Sequence, residues 1–152
     1  MREFDRMFRE SRGKPVEYRG KTLIRLDYFP TLGCKTFVAA FESTASEWRQ
    51  GIRLNVKKGH FVFDDGSRGK KVVFWEDSGP REGEFDIRSS ATELLVYNAW
   101  DTGNGVVEAW HSGAAMIVEE MPGGRRYRCN DGHFDDDFDD LVFRIERVEE
   151  PE

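Results

Sequence analysis

Ile52-Arg53-Leu54-Asn55-Val56-Lys57 alternates apolar and polar side chains at every position. In an extended chain successive Cβ atoms point to opposite faces, so Ile52, Leu54 and Val56 share one face while Arg53, Asn55 and Lys57 share the other. The period is two rather than that of a helix, and the segment reads as a half-buried strand. The same period returns in Ile24, Leu26 and Tyr28, in Phe37, Ala39 and Phe41, in Phe61 and Phe63, in Phe85 and Ile87, and in Leu141, Phe143 and Ile145. Val72 to Trp75 and Leu94 to Tyr97 are apolar on both faces, which suits strands covered on both sides.

Turn signals stand between these runs: Asp65-Gly66, Ser78-Gly79-Pro80, Thr102-Gly103-Asn104-Gly105 and Pro122-Gly123-Gly124. They predict two hairpins, Leu94 to Trp100 turning at DTGNG into Val106 to His111, and Ala115 to Met121 turning at PGG into Arg125 to Cys129. About ten or eleven short strands at roughly 8 to 12 residue spacing point to a sandwich or barrel. Phe4, Met7 and Phe8 stand at i, i+3 and i+4 and predict a helix or arm within residues 1–14. Ser43 to Gln50 reads as a helical turn or a long loop. With 152 residues and no internal repeat, the chain is expected to form one domain over 1–152. The fold class is all-β: a single-domain antiparallel β-sandwich, jelly-roll-like, with a short N-terminal helix. An open-ended barrel is the alternative.

Charge is unevenly placed. The chain carries a net charge of −6, yet residues 130–152 hold ten acids against two arginines, leaving that end at −8 and the remainder at +2. Phosphate affinity needs clustered Lys and Arg, and no long basic run exists, so nucleic acid is not an expected partner. Arg125, Arg126 and Arg128 are the densest basic group and are expected to neutralise the neighbouring acids. No apolar run approaches a membrane span of roughly 20 residues, so no membrane partner is expected. Cys34 and Cys129 are far apart and form no C-x-x-C pair. Free thiols in a reducing, cytoplasmic compartment are the expectation, with one long-range disulfide as the alternative.

Residues 131–140 contain six aspartates. Calcium takes six to eight oxygen ligands, and Asp135, Asp137 and Asp139 have the spacing of an EF-hand loop. Asp140 stands where that loop needs glycine and no helices flank it, so an EF-hand is excluded. A calcium loop of another kind at the sandwich edge would use Asn130, Asp131, Asp135, Asp137 and Asp139, and calcium is the one candidate cofactor. The competing reading is a solvated acidic loop over 130–140, pinned to the sandwich by Phe134 and Phe138.

Catalytic signals are sparse. His60, His111 and His133 form no H-x-H or H-E-x-x-H pair, which disfavours a zinc or iron site. Glu82, Glu84 and Asp86 alternate along one strand face and resemble the E-x-D-x-x-E strand of one family of β-sandwich glycosidases, but the third acid is missing. They read as the polar side of a strand. Cys129, His133 and Asp135 can be drawn as a nucleophile, base and orienter, with nothing around them to make the grouping specific. No catalytic residue is assigned, and the balance leans against an enzyme. The end FDDLVFRI, residues 138–145, resembles the closing strand of galactose-binding-like jelly rolls; no functional residue is carried over from that likeness.

The aromatics carry the leading reading. Flat rings stack on sugars while Asn, Asp and Arg bond their hydroxyls, a recurrent way for a β-sandwich to hold carbohydrate. Trp48, in an irregular segment, and Trp100, at the mouth of the DTGNG turn, are the candidate stacking residues, with Asn98 and Asp101 as hydrogen-bonding partners. Trp75 and Trp110 lie within strands and are assigned to the core. The expected function is therefore a non-catalytic binding module for a carbohydrate or other polyol. The alternatives are an interaction domain whose acidic end docks on a basic protein, and an enzyme using carboxylates.

Overall fold

Ile52 and Leu54 are completely buried while Arg53 and Asn55 lie on the opposite side of the same strand, as their alternation requires. A computed structural model describes residues 3–63, 65–78, 80–133 and 137–148 of the chain. Its elements in order are α1 (Glu3–Glu10), β1 (Val16–Tyr18), β2 (Lys21–Leu23), β3 (Asp27–Pro30), β4 (Thr36–Thr44), β5 (Arg49–Asn55) and β6 (His60–Phe63). There follow β7 (Arg68–Gly69), β8 (Lys71–Trp75), β9 (Glu82–Arg88), β10 (Glu93–Asp101), β11 (Ala115–Met121), β12 (Gly124–Asn130) and β13 (Leu141–Val148).

From β3 to β10 the chain passes back and forth between two antiparallel sheets. One has the order β3-β10-β5-β8, and the other contains β4-β9-β6-β7. Eight strands wound in this order form the paired Greek keys of a jelly roll. Three further strands, β11-β12-β13, extend the second sheet beyond β4 to seven, and β1-β2 form a small ribbon of their own. Phe29, Phe37, Phe61, Phe85 and Phe143 fill the space between the sheets, each no more than 1% exposed. Phe37 stacks on Phe85 at 5.6 Å between centroids. A second cluster lies at one end, where Phe4 and Phe8 of α1 pack with Leu23, Ala115 and Phe138. The helix thus caps the sheets through the stripe read from its sequence.

The PGG hairpin forms as expected, with Met121 opposite Gly124. The DTGNG hairpin does not. Asp101 Oδ1 accepts from the amides of Gly103 (2.8 Å) and Gly105 (3.2 Å), but afterwards only Trp100 and Glu108 bridge. Trp110 and Ser112 take positive φ angles of 64° and 55°, which an extended partner strand cannot tolerate. Arg25 fixes that departure: its guanidinium donates to the carbonyls of Trp110, Ser112 and Ala114 at 2.8, 3.2 and 3.0 Å. Residues 43–50 are neither helix nor long loop, because β4 runs to Thr44 and β5 starts at Arg49.

The outer faces of the two sheets differ. On the seven-stranded sheet, cations meet anions: Arg126 pairs with Glu42 at 2.6 Å, Arg144 with Glu82 at 2.9 Å, and Arg128 with Glu119. Glu82, Glu84 and Asp86 belong to this charged face, with Thr36 donating to Asp86. Arg125 turns inward to Asp27 of β3 at 2.9 Å, beside the Tyr127 hydroxyl, which donates to the same carboxylate. Burial and the Asp27 charge hold that hydroxyl far above its ordinary pKa. Among the described residues the three arginines pair with Asp27, Glu42 and Glu119 rather than with acids of the 131–140 stretch. Both cysteines are free, and no described helix is long and apolar enough to cross a membrane.

Candidate functional site

Trp100 is completely buried, which corrects the expectation that it stands exposed at a turn. It lies parallel to Trp48, 6.4 Å between centroids and 11° apart, and Gly132 crosses both indoles. A Cβ on Gly132 would stand 2.9 Å from Trp100 and 3.2 Å from Trp48. Asn98, 2% exposed, donates to the Asn130 carbonyl at 2.8 Å. Asp101 caps its own turn. The four proposed sugar-binding residues thus gather at one end of the sandwich, but three of them hold it together. Trp110 departs from its expected core place in the other direction and is 45% exposed.

The proposed calcium ligands divide. Asn130 and Asp131 are buried and engaged: Asn130 Oδ1 accepts from the Phe138 amide at 2.8 Å. Asp131 accepts from Ser46 Oγ at 2.5 Å and Gln50 Nε2 at 2.9 Å through one oxygen. Through the other it receives the His133 amide at 2.9 Å and faces the imidazole Nδ1 at 2.8 Å. Asp140 is also buried and accepts from the Asp131 amide at 2.9 Å. Asp137 and Asp139 are exposed, while Asp135 and Phe134 lie outside the described residues. Among the described residues no three His, Cys, Asp or Glu side chains converge as metal ligands. Phe138 does pin the stretch, 3% exposed against Phe4.

Around Asp131 a histidine and a buried carboxylate face one another, and the Ser46 hydroxyl donates to that carboxylate. His133 Nε2 reaches Glu47 at 3.1 Å and its ring stacks on Trp48. Burial disfavours the imidazolium, but Asp131 and then Glu47 outweigh it, and the pKa of His133 is raised. Cys129, drawn beside it on sequence grounds, is completely buried, and burial pushes its thiol well above the ordinary range. A buried thiol held protonated is not a nucleophile.

The outer face of the four-stranded sheet offers different chemistry. Its central row runs Tyr97, Arg53, Val73 across β10, β5 and β8. One neighbouring row is Tyr28, Leu95, Asn55, Lys71, and the other is Ala99, Gly51, Trp75. Tyr28 is 47% exposed. Trp110 lies on Tyr97 at 4.4 Å, so the segment after the DTGNG turn sets an exposed indole on this face. At the far side Trp75 lies against the Gly51 backbone, where a Cβ would come within 2.9 Å of the ring, and the Arg49 guanidinium covers the indole at 4.3 Å.

In the middle of these apolar groups, Arg53 Nε and Asn55 Oδ1 are buried and have no hydrogen-bond partner among the described residues. An unmet buried polar atom costs about 1 to 3 kcal/mol, so two of them side by side on one face call for a reason. Trp110 adds another cost of roughly 1 to 3 kcal/mol through its left-handed backbone, a conformation that persists only where surrounding contacts impose it. Sequence reasoning placed Arg53 and Asn55 together on the polar side of β5. It missed their neighbours because Trp110 and Tyr97 meet through a turn whose geometry depends on Arg25, distant in sequence.

Comparison of the chain with protein-family models, with curated proteins and with solved structures gave no significant match, so its function has to be read from this chemistry.

Proposed function

We propose that the protein is a non-catalytic binding module for a carbohydrate or related polyol, and that its ligand lies on the outer face of the four-stranded sheet. The observation that supports this most is the pair of unsatisfied polar atoms, Arg53 Nε and Asn55 Oδ1, on the same sheet face as the exposed Tyr28 ring and the Tyr97–Trp110 stack. Sugars present apolar C–H faces and a rim of hydroxyls, so rings beside free donors and acceptors match both parts. On the outer face of the seven-stranded sheet, by contrast, Arg126 pairs with Glu42 and Arg144 with Glu82.

The site differs from the one expected around Trp48 and Trp100, whose rings are consumed by packing. The test is a panel of neutral and acidic oligosaccharides titrated against the protein, followed by tryptophan fluorescence. Binding that Trp110→Ala abolishes, with the melting temperature little changed, supports the module. A flat panel removes it and favours the reading in which exposed acids such as Asp137 and Asp139 meet a basic protein partner.

A further inference from the structure

Arg53 is set apart from the other partly buried arginines of the protein. Arg25 has Asp5 at 3.2 Å, Arg49 has Asp77 at 2.6 Å, Arg125 has Asp27 at 2.9 Å, Arg126 has Glu42 at 2.6 Å and Arg144 has Glu82 at 2.9 Å, while Arg147, without a carboxylate among the described residues, donates to the Pro30 carbonyl at 2.8 Å. Arg53 has no carboxylate and no hydrogen-bond partner among the described residues, although its Nε is buried. Its cross-strand neighbours are Tyr97 and Val73, and the next residues on its side of β5 are Gly51 and Asn55. None of them is acidic, and the nearest charged position in the adjoining row is Lys71. A chain of net charge −6 thus keeps a small cationic spot in the middle of this face.

We propose that the ligand of this face is an acidic sugar, a uronic acid whose carboxylate is taken by the unpaired guanidinium of Arg53 while its ring lies against Trp110. This rests on the sheet face being the binding site. A guanidinium presents its donors in a planar fork that matches both oxygens of a carboxylate, and it is strengthened where water is excluded by neighbouring apolar groups. Asn55, one position along the same face, supplies an acceptor and donors for a ring hydroxyl beside that carboxylate.

The test uses oligosaccharides of galacturonate, of mannuronate and of glucuronate, each beside its carboxyl-reduced neutral form, titrated calorimetrically into the whole protein. At least one acid is expected to bind about tenfold or more tightly than its reduced form, the size of a charge-assisted hydrogen bond. Arg53→Gln is expected to bring the affinities of the acid and its reduced form together, with the melting temperature showing that the variant is folded. Equal affinity for acid and reduced forms, or a preference that survives in Arg53→Gln, overturns the role of Arg53 and leaves sugar binding standing. Absence of binding by every acid and every reduced form overturns both.

Discussion

His133 lies face to face with Trp48, 3.7 Å between ring centroids, while its Nδ1 faces the buried Asp131 carboxylate at 2.8 Å. The imidazole pKa is raised in the folded protein, against burial, by Asp131, Glu47 and Asp140. A raised pKa means that the folded state binds the proton more tightly than the unfolded one. The contribution to stability is therefore complete below the unfolded value of about 6.5 and fades as the pH rises through the folded value. Melting curves of the wild type and His133→Gln are expected to differ most near pH 5 and to converge at alkaline pH. A gap that widens with rising pH would contradict this linkage.

Asp131 is the centre of that end of the molecule, with no exposed surface and four groups directed at its two oxygens. Replacing it by alanine removes the acceptor of Ser46 Oγ, of one Gln50 N–H and of the His133 amide, and is expected to cost about 3 kcal/mol or more. Ser46→Ala removes one donor and should cost about 1 kcal/mol. Urea midpoints for the two variants measure the ratio, and equal losses would mean that Ser46 alone carries the contact.

Trp100 and Trp110 differ in exposure and are expected to differ in what their loss does. Trp100, completely buried, is expected to cost roughly 3 to 5 kcal/mol when cut to alanine. Trp110, 45% exposed, should cost far less in stability and abolish sugar binding. Thermal unfolding and fluorescence titration of both variants separate the roles. Ligand loss in Trp100→Ala at a temperature where it remains folded, with Trp110→Ala unaffected, would return the site to the buried end.

Calcium has to compete with bonds already made. Asn130 Oδ1 holds the Phe138 amide, and both Asp131 oxygens are engaged. Added calcium up to millimolar concentration is therefore expected to leave the melting temperature where it is. A rise following RT ln(1 + [L]/Kd) would show a metal site that these contacts do not preclude.

Much of the fold was legible because strand alternation and turn chemistry are local. Ile52 to Lys57 fixed β5 and its two faces, and Pro122-Gly123-Gly124 fixed the β11–β12 hairpin. The stripe of Phe4 and Phe8 gave the helix and its buried side. The tryptophans were not legible, because exposure is decided by what arrives from elsewhere in the chain. Gly132 and Trp48 close over Trp100, whereas Arg25 holds the backbone that turns Trp110 outward. The aspartates misled for a related reason: in sequence they form one acidic run, but Asp131 and Asp140 point inward as hydrogen-bond acceptors and Asp137 and Asp139 point out.

On the proposed reading the ligand lies on the outer face of the four-stranded sheet. A titration of the 15N-labelled protein with the tightest-binding oligosaccharide, followed by amide chemical shifts, tests it most directly. Shifts are expected along Leu95 to Tyr97, Arg53 to Asn55, and at Trp110 and its indole N–H, with the amides of Asp131 and His133 unmoved. Shifts confined to Asp131, His133 and Trp48, or to the outer face of the seven-stranded sheet, would contradict the assignment of the four-stranded face.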